Sequence, residues 1–231
     1  GLVSPRLDLG DDPAARLLRA AFFYAVDFYR SETPDSFHEN GLTRAEHDPH
    51  KAAKLIADPP LPEEWLRRTD PEPARLAAPA AFLLPQAGLL DPARAIATLT
   101  QDCDVLTGRA AHRIERTDAG WRALDAAGAA IGTADIVVIA AGPGAVDFLP
   151  ADQTPLNGRR GALSIAAKTG PDLPAVAGGA YAFSWNGDLV FGATFDPAPL
   201  DAPPTPLCTD DHVRNQADLQ KLSPQRAATL A

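Results

Sequence analysis

The sequence predicts an α/β (α+β) chain that combines a strand of parallel-sheet type with an antiparallel, β-rich part. Three observations predict it. Residues 134–142 read Ala-Asp-Ile-Val-Val-Ile-Ala-Ala-Gly, and a centre that is continuously apolar and β-branched marks a strand covered on both faces, as in a parallel sheet. Asp11-Asp12-Pro13 precedes Leu17, Leu18, Ala21, Phe22, Ala25, Val26 and Tyr29 at three-to-four spacing, which is a capped amphipathic helix. Asn186-Gly187 separates two apolar runs, the pattern of a type I′ hairpin.

In chain order, the first helix runs from Pro13 to about Arg30, and residues 31–41 are polar and read as a loop. A second helix is expected from about His47 to Ala57, stopped by Pro59-Pro60. Glu63 to Leu66 suggests a short turn, and the proline- and alanine-rich residues 69–80 a connector. Ala81-Phe82-Leu83-Leu84-Pro85 reads as a strand, Gly88 as a turn, and Asp91-Pro92 opens a helix to Leu99. Cys103 to Leu106 and His112 to Arg116 look like short strands. Trp121 to Leu124 and Ala130 to Thr133 flank Ala127-Gly128 as a hairpin. Beyond residue 142, Arg160 to Ala166, Ala180 to Trp185 and Asp188 to Thr194 are expected to form an antiparallel sheet. Residues 196–206 are proline-rich, and Thr209 to Leu222 is a helix capped by Thr209 or Asp210.

The chain has 231 residues, of which 45% are hydrophobic, and a formal net charge of -9, enough apolar material for a sizeable core. The acidic balance gives no general attraction for nucleic acid phosphate or anionic membranes, so a membrane or DNA partner is not expected. No run approaches the length of a membrane span. Two cysteines, Cys103 and Cys208, cannot build a disulfide framework, which points to a reducing, cytoplasmic setting. The chain lacks methionine, starts Gly1-Leu2-Val3-Ser4-Pro5 and stops at Arg226-Ala-Ala-Thr-Leu-Ala231 in a helix-like pattern. A fragment of a longer protein is therefore expected.

Few residues carry chemistry on their own. Gly142-Pro143-Gly144 at the end of a buried strand would let a ligand approach the backbone, but Asp147 stands where a third fingerprint glycine would be. An ordinary tight turn is one reading. The other is a strand passing beneath a dinucleotide gripped by a glycine-rich loop elsewhere. Glu46, His47 and His50 suggest a metal site because His47 and His50 lie one helical turn apart, but no third ligand is apparent nearby and a solvated helix face is the plainer reading, so no metal is expected. Cys103 and Cys208 have no histidine or basic cluster beside them, and Ser4 and Ser164 no nucleophile-elbow context. Arg67-Arg68 and Arg159-Arg160 are the paired basic spots; they could touch RNA phosphates or simply be surface arginines.

The order of these pieces resembles the later part of an FAD-binding domain of the D-amino-acid-oxidase type. GLVSPRLDLGDDPAARLLRAAFFYAVDFYR, FLLPQAGLLDPARAIATL, GRRGALSI, GGAYAF and GDLVFGATFD resemble segments of the oxidoreductase half of the bifunctional tRNA 5-methylaminomethyl-2-thiouridine biosynthesis family. PQAGLLDP lacks the tryptophan common in that family at this point. The resemblance implies a partial FAD-binding Rossmann-like domain with an antiparallel β-rich substrate domain. It divides the chain into 1–80, a helical segment after a first βαβ unit; 81–150, the remainder of the FAD-binding domain; and 151–231, part of an interleaved substrate domain.

The resemblance further implies FAD as cofactor, and as substrate a small amine or a carboxymethylaminomethyl group on a tRNA wobble uridine. A glycine- or sarcosine-type oxidase and a non-catalytic binding module are the alternatives. It places Leu2 beside the flavin ring, Ala111 on a strand whose backbone meets the adenine, Ala141 and Gly142 at the end of the strand passing the cofactor, and Tyr181 on the substrate side. The alternative for Tyr181 is a sheet tyrosine packed on its neighbours, and for Leu2 and Ala111 plain core packing. The family's glycine-rich phosphate loop would precede Gly1, and its basic carboxylate partner would lie beyond Ala231. Weak or no FAD binding by these 231 residues is therefore expected.

Overall fold

The computed structural model describes residues 1–149, 156–167, 172–200 and 206–230. In chain order the elements are β1 (Leu2–Val3), α1 (Pro13–Glu32), β2 (Phe37–His38), β3 (Leu42–Glu46), α2 (Pro49–Ala57), β4 (Arg67–Thr69), β5 (Ala80–Leu84), β6 (Gly88–Leu90) and α3 (Pro92–Leu99). Next come β7 (Arg113–Thr117), β8 (Gly120–Leu124), β9 (Ala130–Ala134), a 3₁₀ helix Gly142–Phe148, β10 (Arg159–Arg160) and β11 (Leu163–Ala167). The last part holds β12 (Ala175–Gly178), β13 (Ala180–Trp185), β14 (Asp188–Gly192), β15 (Asp196–Pro197), α4 (Thr209–Leu222) and α5 (Pro224–Ala227).

The chain forms two compact units. The first comprises Gly1–Asp102, Ala162–Thr194 and Leu207–Ala231, the second Cys103–Gly161 and Phe195–Pro206. Residue 80 is therefore not a boundary: β5 pairs with β3 and β4 in the middle of the first unit. The boundary expected at 150/151 lies outside the described residues, as do residues 201–205 of the proline-rich stretch.

The first unit is built on a seven-stranded sheet in the order β11-β14-β13-β12-β3-β5-β4. Its pairs are antiparallel except β12 with β3. Because successive side chains of a strand point to opposite faces, the sheet is apolar twice over. One face carries Leu42, Phe82, Leu84, Ala177, Phe183 and Val190 in a cluster with Phe22 and Val26 of α1 and Leu55 of α2. The other carries Ala45, Ala81, Val176, Ala182, Leu189 and Phe191, covered by Leu219 and Leu222 of α4. Asn215 fixes α4 on its sheet, donating to Ala162 O at 2.9 Å and Ser164 Oγ at 3.1 Å. A small sheet, β1-β6-β2, adds the Leu2 strand to Gly88–Leu90.

Helix α1 starts where its cap predicts. Asp12 accepts from the Ala14 and Ala15 N–H groups at 2.9 and 3.0 Å, satisfying donors that a helix start leaves unpaired. The predicted face is only partly used: Phe22 and Val26 are buried, whereas Leu17 is exposed. α2 starts two residues later than expected, because Asp48 is its cap. The α4 cap is Cys208, with its N–H donating to Asp211 at 3.1 Å. The loop expected at 31–41 contains β2, and the turn expected at Gly88 is the first residue of β6.

The second unit has sheets of its own. β7, β8 and β9 form an antiparallel meander, as its hairpin signals predict. β10 pairs with β15, and Arg159 lies 5.3 Å over the Phe195 ring. Two expected strands are corrected. Residues 103–106 are irregular. Residues 136–141, the core of the expected parallel strand, are not a strand: only Ala134 of that segment is paired, and Ile136 and Val138 are 78% and 82% exposed. The apolar, β-branched pattern records what the segment would need around it, namely neighbours on both edges and layers on both faces. Among the described residues none supplies them.

Candidate active site

The first unit holds the most developed candidate site. β13 places Tyr181, Phe183 and Trp185 on one face of the seven-stranded sheet, the face that carries Ala177 and Phe82. The register runs Tyr181 opposite Ala177, Ala177 opposite Arg44 and Arg44 opposite Phe82. Tyr181, Ala177, Arg44 and Phe82 thus form one row across four strands, and alternation puts all four on the same face.

The Tyr181 ring stacks on Phe183 with centroids 6.1 Å apart and planes at 10°. Burial raises the Tyr181 pKa above its ordinary value, so the phenol is a neutral O–H donor across the physiological range. Arg44 is half-buried in the same row. Its Nη1 donates to Pro5 O at 3.5 Å, a weak bond. Desolvation lowers its pKa, countered by the charges of Glu46 and Asp8, and the guanidinium stays cationic. His38 of β2 meets Trp185 edge-on at 5.4 Å. Leu2, on β1 opposite Leu89, packs against the same apolar cluster as Tyr181 and Trp185.

Of the sequence-predicted residues, Leu2 and Tyr181 are therefore brought to one cluster. Ala111, Ala141 and Gly142 belong to the second unit, and all three are exposed. Ala111 precedes β7 and is not on a strand, which corrects that placement. Ala141 and Gly142 do not end a strand; Gly142, at φ +56, begins the short 3₁₀ helix, and a Cβ there would meet nothing within 4 Å. Arg44 was missed by sequence reasoning. Its strand, Leu-Thr-Arg-Ala-Glu, is short and mixed in polarity, and the available signal was its position between Gly41 and the Asp48-Pro49 helix start.

Comparison with known proteins fixes the lineage. The model of the family described as FAD dependent oxidoreductase matches residues 1–231. The chain belongs to the FAD-dependent oxidoreductase family. Among curated members it is 36% identical over 237 residues to the tRNA 5-methylaminomethyl-2-thiouridine biosynthesis bifunctional protein MnmC of Caulobacter vibrioides, with 100% of this chain and 38% of that protein covered. The corresponding MnmC of Maricaulis maris is 32% identical over 199 residues, covering 85% and 31%. The chain thus spans about a third of the length of these relatives. Glycine oxidase from Geobacillus kaustophilus shares the fold at a TM-score of 0.69 and 18% identity, covering 95% of this chain and 65% of that one. Iminodiacetate oxidase from Chelativorans sp. BNC1 does so at 0.69 and 17%, covering 97% and 68%.

Membership of this family implies FAD, and the residues present can be tested against it. A dinucleotide needs backbone N–H groups at a helix N-terminus after a sheet strand. In the second unit the segment 136–141 is unpaired, and Ala141 leads into a 3₁₀ helix without a side-chain cap. The described residues of that unit do not form the grip. No helix among the described residues is long and apolar enough to cross a membrane.

Proposed function

We propose that this chain is part of an FAD-dependent amine oxidoreductase that oxidises a C–N bond of a carboxymethylaminomethyl group on a tRNA wobble uridine. The observation that carries the reading is the family match over residues 1–231, joined to 36% identity with a protein named for synthesis of 5-methylaminomethyl-2-thiouridine in tRNA. In such an enzyme a bound flavin would supply the acceptor for the hydride equivalent from the C–N carbon, while the protein orients the amine. In this assignment Leu2 lies beside the flavin and Tyr181 on the substrate side, and Ala111, Ala141 and Gly142 would line the nucleotide only where the longer protein supplies the grip that the described residues lack. The seven-stranded sheet of the first unit carries the substrate part, and residues 103–149 belong to the cofactor part. A cytoplasmic location agrees with a tRNA substrate.

A second reading keeps the flavin and replaces the tRNA by a free small amino acid. It is supported by the shared fold with a glycine oxidase and an iminodiacetate oxidase.

The test uses the longer protein that contains residues 1–231. Expected are a flavin spectrum and anaerobic bleaching by tRNA bearing carboxymethylaminomethyl uridine, with glycine and sarcosine inert. Bleaching by glycine or sarcosine alone would move the assignment to the second reading, and a colourless protein would overturn both.

A further inference from the structure

We propose that the outer face of helix α1 is a self-complementary interface, through which two copies of this chain associate antiparallel, helix against helix. The inference does not depend on the oxidoreductase reading.

Helix α1 is apolar on two sides. Phe22 and Val26 are buried in the cluster on one face of the seven-stranded sheet. Tyr24 is two residues from each of them, about 200° around the helix, so it points away from the core and is 70% exposed. Leu17, Ala21, Tyr24 and Phe28 recur at intervals of four, three and four residues and share that outer face. Leu17 is 69% exposed, and the Tyr24 ring stacks on Phe28 with centroids 5.9 Å apart and planes at 21°. The outer face of a helix that borders solvent is ordinarily charged or polar; an apolar row there marks a surface that another surface covers.

The row fits a second copy of itself. A two-fold axis perpendicular to α1, at the level between Phe22 and Phe23, sets Leu17 against the partner's Phe28 and Ala21 against the partner's Tyr24. A tyrosine ring then lies over a methyl on each side of the axis, and such pairing of large with small lets side chains interdigitate. The small Ala20 and Ala21 near the axis allow the helices to approach to about 8 Å, the close end of helix packing. Because the axis relates the row to itself, the contact closes at two copies.

Charge selects the direction. Arg16 and Asp27 are eleven residues apart, which brings them within about 20° of one another around the helix, on one edge of the apolar row. Antiparallel helices related by this axis bring like edges together, so Arg16 meets the partner's Asp27 twice over. A parallel pair would set that edge against the opposite one, which carries Ala14 and Ala21. Both charges are available: Arg16 is exposed, and the Asp27 side chain is 73% exposed, with one oxygen 3.4 Å from Arg30.

Size sets the strength. α1 has 20 residues and is roughly 30 Å long. A single helix pair of that length buries less than the roughly 1,200 Å² of stable complexes, and two chains of net charge -9 repel one another. The dimer is therefore weak, with a Kd on the order of 100 μM.

The test is sedimentation equilibrium of the 231-residue chain from about 10 μM to about 1 mM, a range that brackets this Kd, at about 0.15 M salt to screen the net charge. Expected is an average mass that rises from monomer towards dimer and no further. Tyr24→Glu places a charge in the contact and weakens association at least about tenfold. Arg16→Asp weakens it about threefold, and Arg16→Asp with Asp27→Arg restores it, as a salt bridge at the rim does. Val138→Lys, in the second unit, leaves it unchanged. Circular dichroism establishes folding, and Leu17→Glu replaces Tyr24→Glu should that variant not fold. A chain that is monomeric at about 1 mM overturns the proposal, as does a Tyr24→Glu variant that dimerises like wild type, a dimer abolished by Val138→Lys, or a charge swap without rescue. A monomeric chain whose longer protein loses stability through Tyr24→Glu shows the row covered by flanking polypeptide, and this too overturns the second copy as its occupant.

Discussion

At the scale of the residue, Tyr181 shows how a side chain acquires a chemical role from its neighbours. Its ring is stacked on Phe183 and packs against the apolar cluster. Burial disfavours the phenolate and raises the pKa above the ordinary value of 10.0. The sign comes from linkage. The folded state holds the proton more tightly than the unfolded chain, so this contribution to stability is complete below the unfolded pKa and is lost as pH rises through the higher folded one. The phenolate absorbance of the wild type minus that of Tyr181→Phe should therefore appear above pH 10, later than for free tyrosine, and shift to the ordinary range in urea. A Tyr181 titration centred at or below 10 in the folded chain would refute this burial. Arg226 makes the opposite point. It is fully buried, gives two bonds from Nη2 to the Ala74 and Pro174 carbonyls at 3.0 and 2.8 Å, and leaves Nε and Nη1 unpaired. Burial, reinforced by Arg75, lowers its pKa to about 10, so at neutral pH it remains a cation held at a cost.

At the scale of the element, local chemistry and tertiary demand part company. α1 and α3 begin at their predicted starts because the cap residues Asp12 and Asp91 are local signals that the folded chain uses unchanged, whereas α4 begins at Thr209 but takes Cys208 as its cap in place of the predicted Thr209 or Asp210. For α1 the consequence is measurable. Asp12→Ala removes the acceptor of two N–H bonds and should lower stability by about 1 kcal/mol, read as a shift of the urea midpoint at constant slope. No shift would mean that water replaces the cap fully. β13 and β14 were legible for a similar reason: Asn186, at φ +52, and Gly187, at φ +88, supply the backbone of the turn between them. β3, β4 and β12 were not. Leu-Thr-Arg-Ala-Glu, Arg-Arg-Thr and Ala-Val-Ala-Gly are short, and two of them are polar. They are strands because neighbours on the sheet pair with them, which no local pattern expresses. With β3 went Arg44. The candidate site was thus half legible: Tyr181 and Leu2 came through resemblance, whereas their cationic neighbour needed the register.

At the scale of the whole molecule, the lesson lies in the segment 134–142, the clearest strand pattern in the sequence. On the sequence alone, the oxidoreductase lineage stands or falls with that strand. The strand is not formed, yet the family match extends over residues 1–231. Composition therefore identified a segment suited to a covered sheet position, and family membership does not require the cover to lie among the described residues. The two states of this segment make different predictions for a charge placed on it. If Ile136 and Val138 stand in solvent, as their 78% and 82% exposure indicates, a lysine at Val138 loses no packing, and Val138→Lys should change the stability of this chain by no more than about 0.5 kcal/mol. A lysine at the same position in a sheet covered on both faces would bury an unpaired charge and cost several times as much, upwards of about 3 kcal/mol. Urea unfolding of the 231-residue chain with and without Val138→Lys separates the two. The same substitution in the longer protein asks whether the cover is supplied there: loss of stability together with loss of bound flavin is the outcome expected of a strand that lies under the nucleotide, because a parallel sheet position of this kind tolerates neither the charge nor its hydration.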